Sequence, residues 1–174
     1  MKIQHSVSLI GDEIENVFNI EAMQHAAEMF GSSCKFRKST HDETNTIEVA
    51  DMVETFTHLI ALDNWKNAHV LYGFQLPQHA RAAIIAGNER RGISKEVANV
   101  ATHAVIIPMI SKQLNCINVA AASAVALYYM SNAFRGRMQI RKDPQKKRPE
   151  LVLIGGDNHA ELGSAIRSAA AFGW

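Results

Sequence analysis

Two stretches decide the fold: IIAGNERRGIS (residues 84–94) and VIIPM (residues 105–109). Each begins as a continuous apolar run, which is typical of a strand buried on both faces of a parallel sheet. The first run breaks at Gly87 and the second at Pro108. An irregular polar stretch then leads through CIN (residues 116–118) into an Ala-rich helix predicted over residues 119–130. Because small ligands bind beyond the carboxyl ends of parallel strands, this region predicts a ligand site.

The rest of the chain alternates strand and helix patterns. Strands are predicted at residues 5–11, 34–39, 58–64, 81–87 and 103–109, and helices at residues 14–30 and 47–56. The segment HVLYGF (residues 69–74) reads as another strand or an extended loop. On the first helix, apolar spacing predicts a buried stripe, and Gly31 is the expected stop; the stripe comprises Ile14, Phe18, Ala22, Ala26 and Met29. This alternation predicts an α/β fold, a parallel sheet flanked by helices.

Composition excludes several classes of protein. The chain is 47% apolar and 20% charged, as in globular domains. It has no apolar run long enough to cross a membrane and no signal-peptide pattern, and two cysteines form no disulfide framework. A cytoplasmic protein without a metal is therefore expected. No histidine pattern suggests a ligand set, so we expect surface or satisfied core roles for His5, His58, His69, His79 and His103.

The charges are unevenly distributed. Residues 1–133 carry a balance of −3, and residues 134–174 a balance of +4. Most of the excess cations lie in a Pro-containing segment that can neutralise nucleic-acid phosphates, or can be merely a solvated linker. The candidate RNA-binding residues in it are Arg135, Arg137, Arg141 and Lys142.

The helix predicted over residues 119–130 is apolar on nearly all sides. A helix of this kind must be buried all round. At the end of a small domain, the simplest partner is the same helix of a second subunit, which predicts a homodimer.

These segments resemble a known family. GNERRGIS (residues 87–94) is similar to the GNE-x-x-G-hydrophobic-Ser motif of the SpoU/TrmH-type RNA ribose 2′-O-methyltransferases, members of the SPOUT superfamily. VIIPM and CINVAAASAVALYY (residues 116–129) resemble the family's IP-M and SLN-V-x-x-A-x-x-A motifs, with Cys116 and Ile117 in place of Ser and Leu. The resemblance covers roughly residues 5–132.

The resemblance implies a C-terminal trefoil knot, S-adenosylmethionine as cofactor, and tRNA or rRNA as substrate. Knots are otherwise nearly absent from proteins, and nothing in the strand and helix pattern itself predicts one. In the family, backbone groups of three loops hold the cofactor. The matching positions are Leu62, Gly87, Ile107, Met109, Cys116 and Ile117.

The family's substrate-activating motif is altered in this chain. NIEAMQHAAEMFG (residues 19–31) resembles N-x-G-A-x-x-R-T-A-x-x-F-G, with Asn19 retained, Glu21 in place of Gly and His25 in place of Arg. His25 either acts as a base, since an imidazole titrates near neutral pH, or is a tolerated replacement. Glu89 either orients Asn19 or a backbone amide, or makes a purely structural hydrogen bond. Asn118 either bridges the knot loops or helps to place the substrate.

The end of the chain echoes its beginning. LVLIGGDNHAELGSAIRSAAAFGW (residues 151–174) is similar to residues 6–31, and alignment on the shared Phe-Gly puts Arg167 at the position of His25. Three parts are therefore predicted: a knotted domain over 1–133, a basic linker over 134–150, and a strand and helix over 151–174 that resemble the start of a second copy. Either the chain is the front of a tandem protein, or the extra strand and helix pack on the first domain, where Arg167 supplies the missing guanidinium.

Two functions follow from the resemblance. The first is an S-adenosylmethionine-dependent RNA 2′-O-ribose methyltransferase whose candidate catalytic residues are Asn19, His25, Glu89, Asn118 and Arg167. The second is a catalytically degenerate domain that serves as a dimerisation, cofactor-binding or RNA-binding module, an alternative favoured by the altered first motif.

Overall fold

A single parallel sheet organises the chain, in the order β2-β1-β5-β3-β6-β4. The computed structural model describes residues 7–39, 45–77, 79–109, 116–131, 150–153 and 159–172. Every strand pair is parallel, so all carboxyl ends lie at one edge. The strands are β1 (Val7–Asp12), β2 (Cys34–Arg37), β3 (His58–Leu62), β4 (His69–Val70), β5 (Ala82–Gly87) and β6 (His103–Ile106). The predicted α/β class is confirmed.

Five helices accompany the sheet in the described residues: α1 (Val17–Met29), α2 (Val49–Thr55), α3 (Lys95–Ala98), α4 (Val119–Met130) and α5 (His159–Phe172). The Asn16 side chain caps α1 by accepting a hydrogen bond from a backbone amide of its first turn, and Gly31 ends the helix with φ +63°. The bounds of α4 agree with the prediction. The short α3 was not anticipated, and HVLYGF divides into β4 and a 3-10 turn over Leu71–Gly73.

Each face of the sheet has its own core. Helices α1 and α4 pack on one face, while α2 and α3 cover the other. Successive residues of a strand alternate between the two cores, so that Ile84 belongs to the first and Ile85 to the second. The two strands with continuous apolar sequences, β5 and β6, therefore have buried residues on both faces of the sheet, as predicted.

The predicted buried stripe of α1 is confirmed only in part: Ala26 is buried, but Phe18, Ala22 and Met29 are exposed. Phe18 is 61% exposed and Met29 is 81% exposed, whereas Ile20 and Met23 are buried. Ile14 is itself buried, but it precedes the first turn of the helix and therefore cannot set the phase of its buried face. The face that packs against α4 also carries Asn19, a polar residue that apolar spacing overlooks.

The C-terminal helix α5 packs on the same body as the other elements. Ala171 is fully buried, and Phe172 contacts the core that α1 and α4 share with the sheet. The strand predicted at the start of this segment is not formed at residues 151–153, which are exposed and belong to no sheet. The basic residues Arg135, Arg137, Arg141 and Lys142 lie outside the described residues.

None of the helices that the structure describes has the length and apolar character required to cross a bilayer.

Candidate active site

The loop between β5 and α3 is built by its own sequence. A Cβ on Gly87 would lie 2.3 Å from the carbonyl carbon of Gly92 and from the nitrogen of Ile93, so only glycine permits this close backbone approach. The Asn88 side chain braces the loop. Its amide nitrogen donates to the backbone oxygen of Glu13 at 2.7 Å, and its oxygen accepts from the backbone amides of residues 90 and 91.

A buried ion pair holds the far end of this loop against the sheet. Arg37 and Asp12 are both almost completely buried, with 2.8 Å between Nη1 and Oδ1. The other carboxylate oxygen of Asp12 accepts from the backbone amide of Ser94 at 2.8 Å. Nη2 of Arg37 also pairs with Glu96. Since removing one partner leaves a buried charge uncompensated, this pair ties the loop position to the ends of β1 and β2.

Three polar side chains from distant parts of the chain form one hydrogen-bonded series. Asn19, only 7% exposed, donates from Nδ2 to Oε1 of Glu89 at 2.6 Å. Its own Oδ1 accepts from Nδ2 of Asn118 at 2.8 Å. Asn118 is also the N-cap of α4, because its Oδ1 accepts from the backbone amides of residues 120 and 121. The contact between Glu89 and Asn19 that the sequence suggested is therefore present.

A cavity of about 260 Å³ lies beside this series, at the carboxyl ends of β3, β5 and β6. Its volume is near the lower end of the range for small-molecule sites. The walls combine apolar and polar residues, including one acidic residue from each of two loops and Arg167 from α5. The lining residues are Leu62, Asp63, Asn64, Ala86, Gly87, Asn88, Glu89, Gly92, Val105, Ile106, Ile107, Met109, Cys116, Ile117, Asn118, Val119, Ala122 and Arg167.

The structure brings together most of the residues singled out from the sequence. All six cofactor candidates line the cavity, as do Glu89, Asn118 and Arg167. Asn19 does not line it but bonds to both Glu89 and Asn118. His25 is exposed on α1 and is not among the lining residues, so the fold does not bring it to this cavity.

Sequence reasoning overlooked two polar positions in the cavity wall. Asp63 and Asn64 directly follow β3, and both line the cavity. Their place immediately after a buried strand was the available signal, because the carboxyl ends of neighbouring parallel strands converge. The role of Asn88 was also overlooked. It belongs to the GNE motif, and its side chain forms the hydrogen bonds that hold the loop in place.

Three histidines without ligand-like spacing meet at the opposite edge of the sheet. The rings of His58 and His103 stack with centroids 5.5 Å apart, and His69 lies 6.3 Å from His103. Burial lowers the pKa of His103 below its ordinary value of 6.5, and the charges of the other two histidines lower it further. In the described residues, no group of three or more His, Cys, Asp or Glu side chains has an arrangement that could hold a metal ion.

Two tyrosines join α4 to the 3-10 turn. The rings of Tyr72 and Tyr129 lie 4.7 Å apart. Burial raises the pKa of Tyr72, and the neighbouring Tyr129 raises it further. Burial likewise raises the pKa of Tyr129, with a smaller contribution from Tyr128. Both phenols therefore remain neutral near pH 7 and act as packing groups.

Solved structures share this fold. The SpoU methyltransferase AviRb from Streptomyces viridochromogenes superposes with a TM-score of 0.61 at 19% identity, covering 72% of this chain and 58% of that one. The AdoMet-bound rRNA methyltransferase from Sinorhizobium meliloti gives a TM-score of 0.62 at 15% identity, covering 72% and 56%. A structure described as giving insight into the 2-OH methylation of C/U34 on tRNA gives 0.59 at 18% identity, covering 71% and 93%.

The chain thus spans a little over half the length of the first two of these structures. Among proteins of curated function, none matches the sequence significantly. Residues 20–128, however, match the SpoU rRNA Methylase family, a span that includes Asn19's partners Glu89 and Asn118 and both motif loops. Because that match covers more than half of the residues of this chain, the chain belongs to the SpoU rRNA methylase family.

Proposed function

We propose that this chain is an S-adenosylmethionine-dependent RNA methyltransferase that modifies a ribose 2′-hydroxyl of tRNA or rRNA. The observation that carries the proposal is the cavity at the carboxyl ends of three parallel strands, with the hydrogen-bonded series Glu89–Asn19–Asn118 at its edge. Membership of the SpoU family supports RNA methylation. The similarity to a structure concerned with 2-OH methylation on tRNA supports the ribose as the acceptor.

The cavity wall fits the proposed cofactor. Apolar side chains on the β3 and β6 side suit an adenine ring, and the backbone groups of the three loops offer donors and acceptors for its edge. When bound, S-adenosylmethionine supplies an electrophilic methyl group on a sulfonium. The residues that would hold it are Leu62, Gly87, Ile107, Met109, Cys116 and Ile117.

The residues at the edge of the cavity would activate the ribose. A 2′-hydroxyl is a weak nucleophile, so its proton must be accepted as the new bond forms. We assign this step to Glu89, whose Oε1 is held by Asn19 while Asn19 is held by Asn118. Because Asn118 also caps α4, the carboxylate is linked through Asn19 to the N-terminus of that helix.

Arg167 takes the role of the arginine that the first motif lacks. Arg167 lines the cavity together with Glu89 and Asn118, although it belongs to α5 and is distant from them in sequence. A guanidinium there can bind an RNA phosphate in a bidentate manner or stabilise developing charge. His25, in the position of the family's arginine, is exposed and outside the lining, so we assign it no catalytic role.

Calorimetry and turnover test this assignment together. Arg167→Ala should abolish methyl transfer to RNA while the affinity for S-adenosylmethionine stays within about twofold, since the six proposed cofactor-binding residues are unchanged. Arg81→Ala, which removes an exposed arginine at the other edge of the sheet, is the matched control. Unchanged turnover in the Arg167 variant would exclude the role. A wild-type chain that shows neither heat nor thermal shift with S-adenosylmethionine would refute the enzyme itself.

We also propose the family's trefoil knot and a homodimer. The knot is supported by the position of α4, which packs against β5 and β1, and by the tight loop at Gly87. The dimer is supported by apolar side chains that the single chain leaves exposed on α1 and α4. These are Phe18, Met29 and Tyr128.

For the RNA itself, we propose that the basic segment over 134–150 contacts phosphates outside the active site, through Arg135, Arg137, Arg141 and Lys142. We further propose that residues 1–133 form the methyltransferase-like domain and residues 151–174 an added element related to its first strand and helix. The contact of α5 with the main core supports an element that packs on the first domain.

The degenerate module remains a second candidate for one specific reason. Glu21 and His25, which replace the Gly and Arg of the family motif, both lie exposed on α1. A carboxylate on that surface repels RNA phosphates. Cofactor binding without any methyl transfer to tRNA or rRNA would favour this candidate.

A further inference from the structure

Asp63 is a charged residue of the cavity wall that the proposed reaction does not use. It directly follows β3, and its backbone amide donates to the carbonyl of Val105 at 3.1 Å, which anchors the position to β6. The side chain lines the cavity next to Asn64 and opposite the loop that contains Gly92.

The carboxylate of Asp63 has a fixed position. Its Oδ1 accepts from the backbone amide of Asn64 at 2.7 Å. Its Oδ2 lies 3.2 Å from the point where a Cβ on Gly92 would stand, so the absence of a side chain at Gly92 leaves room for it. In the part of the chain that the structure describes, no cation forms an ion pair with Asp63. A carboxylate is a pure hydrogen-bond acceptor, so it can receive further donors from a ligand in the cavity.

The strand order determines which part of a ligand would supply those donors. Strand β3 lies between β5, whose loop carries Glu89, and β6, whose end carries the apolar residues Ile107 and Met109. Asp63 therefore lies between the apolar part of the cavity and the polar series at its edge. In an adenosine-type ligand, the sugar lies between the base and the group on the 5′ carbon.

We propose that Asp63 is a specificity-determining residue that binds the ribose hydroxyls of the cofactor. Two vicinal hydroxyls donate to one carboxylate, as an acidic residue does for the ribose in dinucleotide-binding folds. This inference rests on the proposed cofactor binding. It adds a side-chain contact to a site otherwise made largely of backbone groups.

The test measures the affinity of S-adenosylhomocysteine and its 2′,3′-dideoxy analogue by calorimetry. For the wild-type chain we expect the dideoxy analogue to bind roughly 10- to 100-fold more weakly, since charge-assisted hydrogen bonds are lost. Asp63→Ala should weaken the parent ligand by a similar factor and bring the two ligands to within about twofold of each other. Asp63→Asn, which keeps an acceptor oxygen without the charge, should give an intermediate ratio.

Glu54→Ala removes an exposed carboxylate on α2 and serves as the control, with the melting temperature recorded for every variant. A wild-type chain that binds both ligands equally, or an Asp63→Ala variant that still discriminates between them, overturns the role of Asp63 alone. A variant that loses affinity for S-adenosylmethionine but not for S-adenosylhomocysteine also overturns it, because the carboxylate would then act on the sulfonium charge. A wild-type chain that binds none of these ligands overturns the proposed function and this inference with it.

Discussion

Replacing Asn19 by alanine should uncouple the carboxylate of Glu89, the proposed base, from the N-terminus of α4. The change removes the 2.6 Å bond to Glu89 and the 2.8 Å bond from Asn118 in a single step. Asn118 still caps α4 through its Oδ1, so the helix itself should remain in place. The substitution therefore acts mainly on the orientation of Glu89.

The size of the effect follows from the two bonds. A hydrogen bond to a charged group contributes about 1.5–3 kcal/mol, and one between neutral groups about 0.5–1.5 kcal/mol. If both serve mainly to hold the reactive geometry, the activation barrier rises by about 2–4 kcal/mol, which slows methyl transfer by about 30- to 1,000-fold. The affinity for the cofactor should change little, because Asn19 does not line the cavity.

Single-turnover transfer of a labelled methyl group from S-adenosylmethionine to unmodified tRNA and rRNA measures this rate. Calorimetry and a melting curve show whether binding and folding are retained. Asn99→Ala, at an exposed helix end on the other face of the sheet, is the matched control. A folded, cofactor-binding Asn19→Ala chain with a rate within about threefold of wild type would refute the positioning argument.

Four further outcomes are expected. Gly87→Ala should destabilise the fold by several kcal/mol and abolish cofactor binding in calorimetry, since its Cβ would collide with backbone at Gly92. Because the pKa of His103 is lowered in the fold, protonation of this side chain opposes folding. The free energy of unfolding should be full above about pH 6.5 and fall as the pH drops below it. His103→Gln should flatten that decline in a series of melting curves. Tyr128→Glu should weaken dimerisation at least tenfold in sedimentation equilibrium, whereas Val53→Glu, an exposed apolar position on α2, should not. RNA affinity and its salt dependence, measured by filter binding, should both decrease when alanine replaces Arg135, Arg137, Arg141 and Lys142.

The two motif loops could be placed from the sequence because the signal is local. A continuous apolar run that stops at Gly87 or Pro108 specifies both a buried strand and its carboxyl end. Every strand of a parallel sheet ends at the same edge, so a ligand site could be predicted there before the strand order was known, whereas the six cofactor candidates came from the family resemblance. All six line one cavity.

The face of α1 could not be placed in the same way. Apolar spacing pointed to Phe18 and Met29, yet the buried side of the helix carries Asn19. A buried amide is stable there only because Glu89 and Asn118 satisfy its hydrogen bonds, and those partners come from loops far away in the chain. No periodicity within a single helix contains that information.

The sequence by itself determined the α/β class, the strand ends at the two motifs and the family to which they belong, since each depends on residues close together in the chain. Only the tertiary structure decided which of the candidate side chains lie at the cavity. It leaves His25 exposed on α1 and brings Arg167 and Asp63 to the wall of the cavity. The reason is physical: a side chain's distance from a reacting atom depends on how separate elements pack together, and packing is not a property of any one segment.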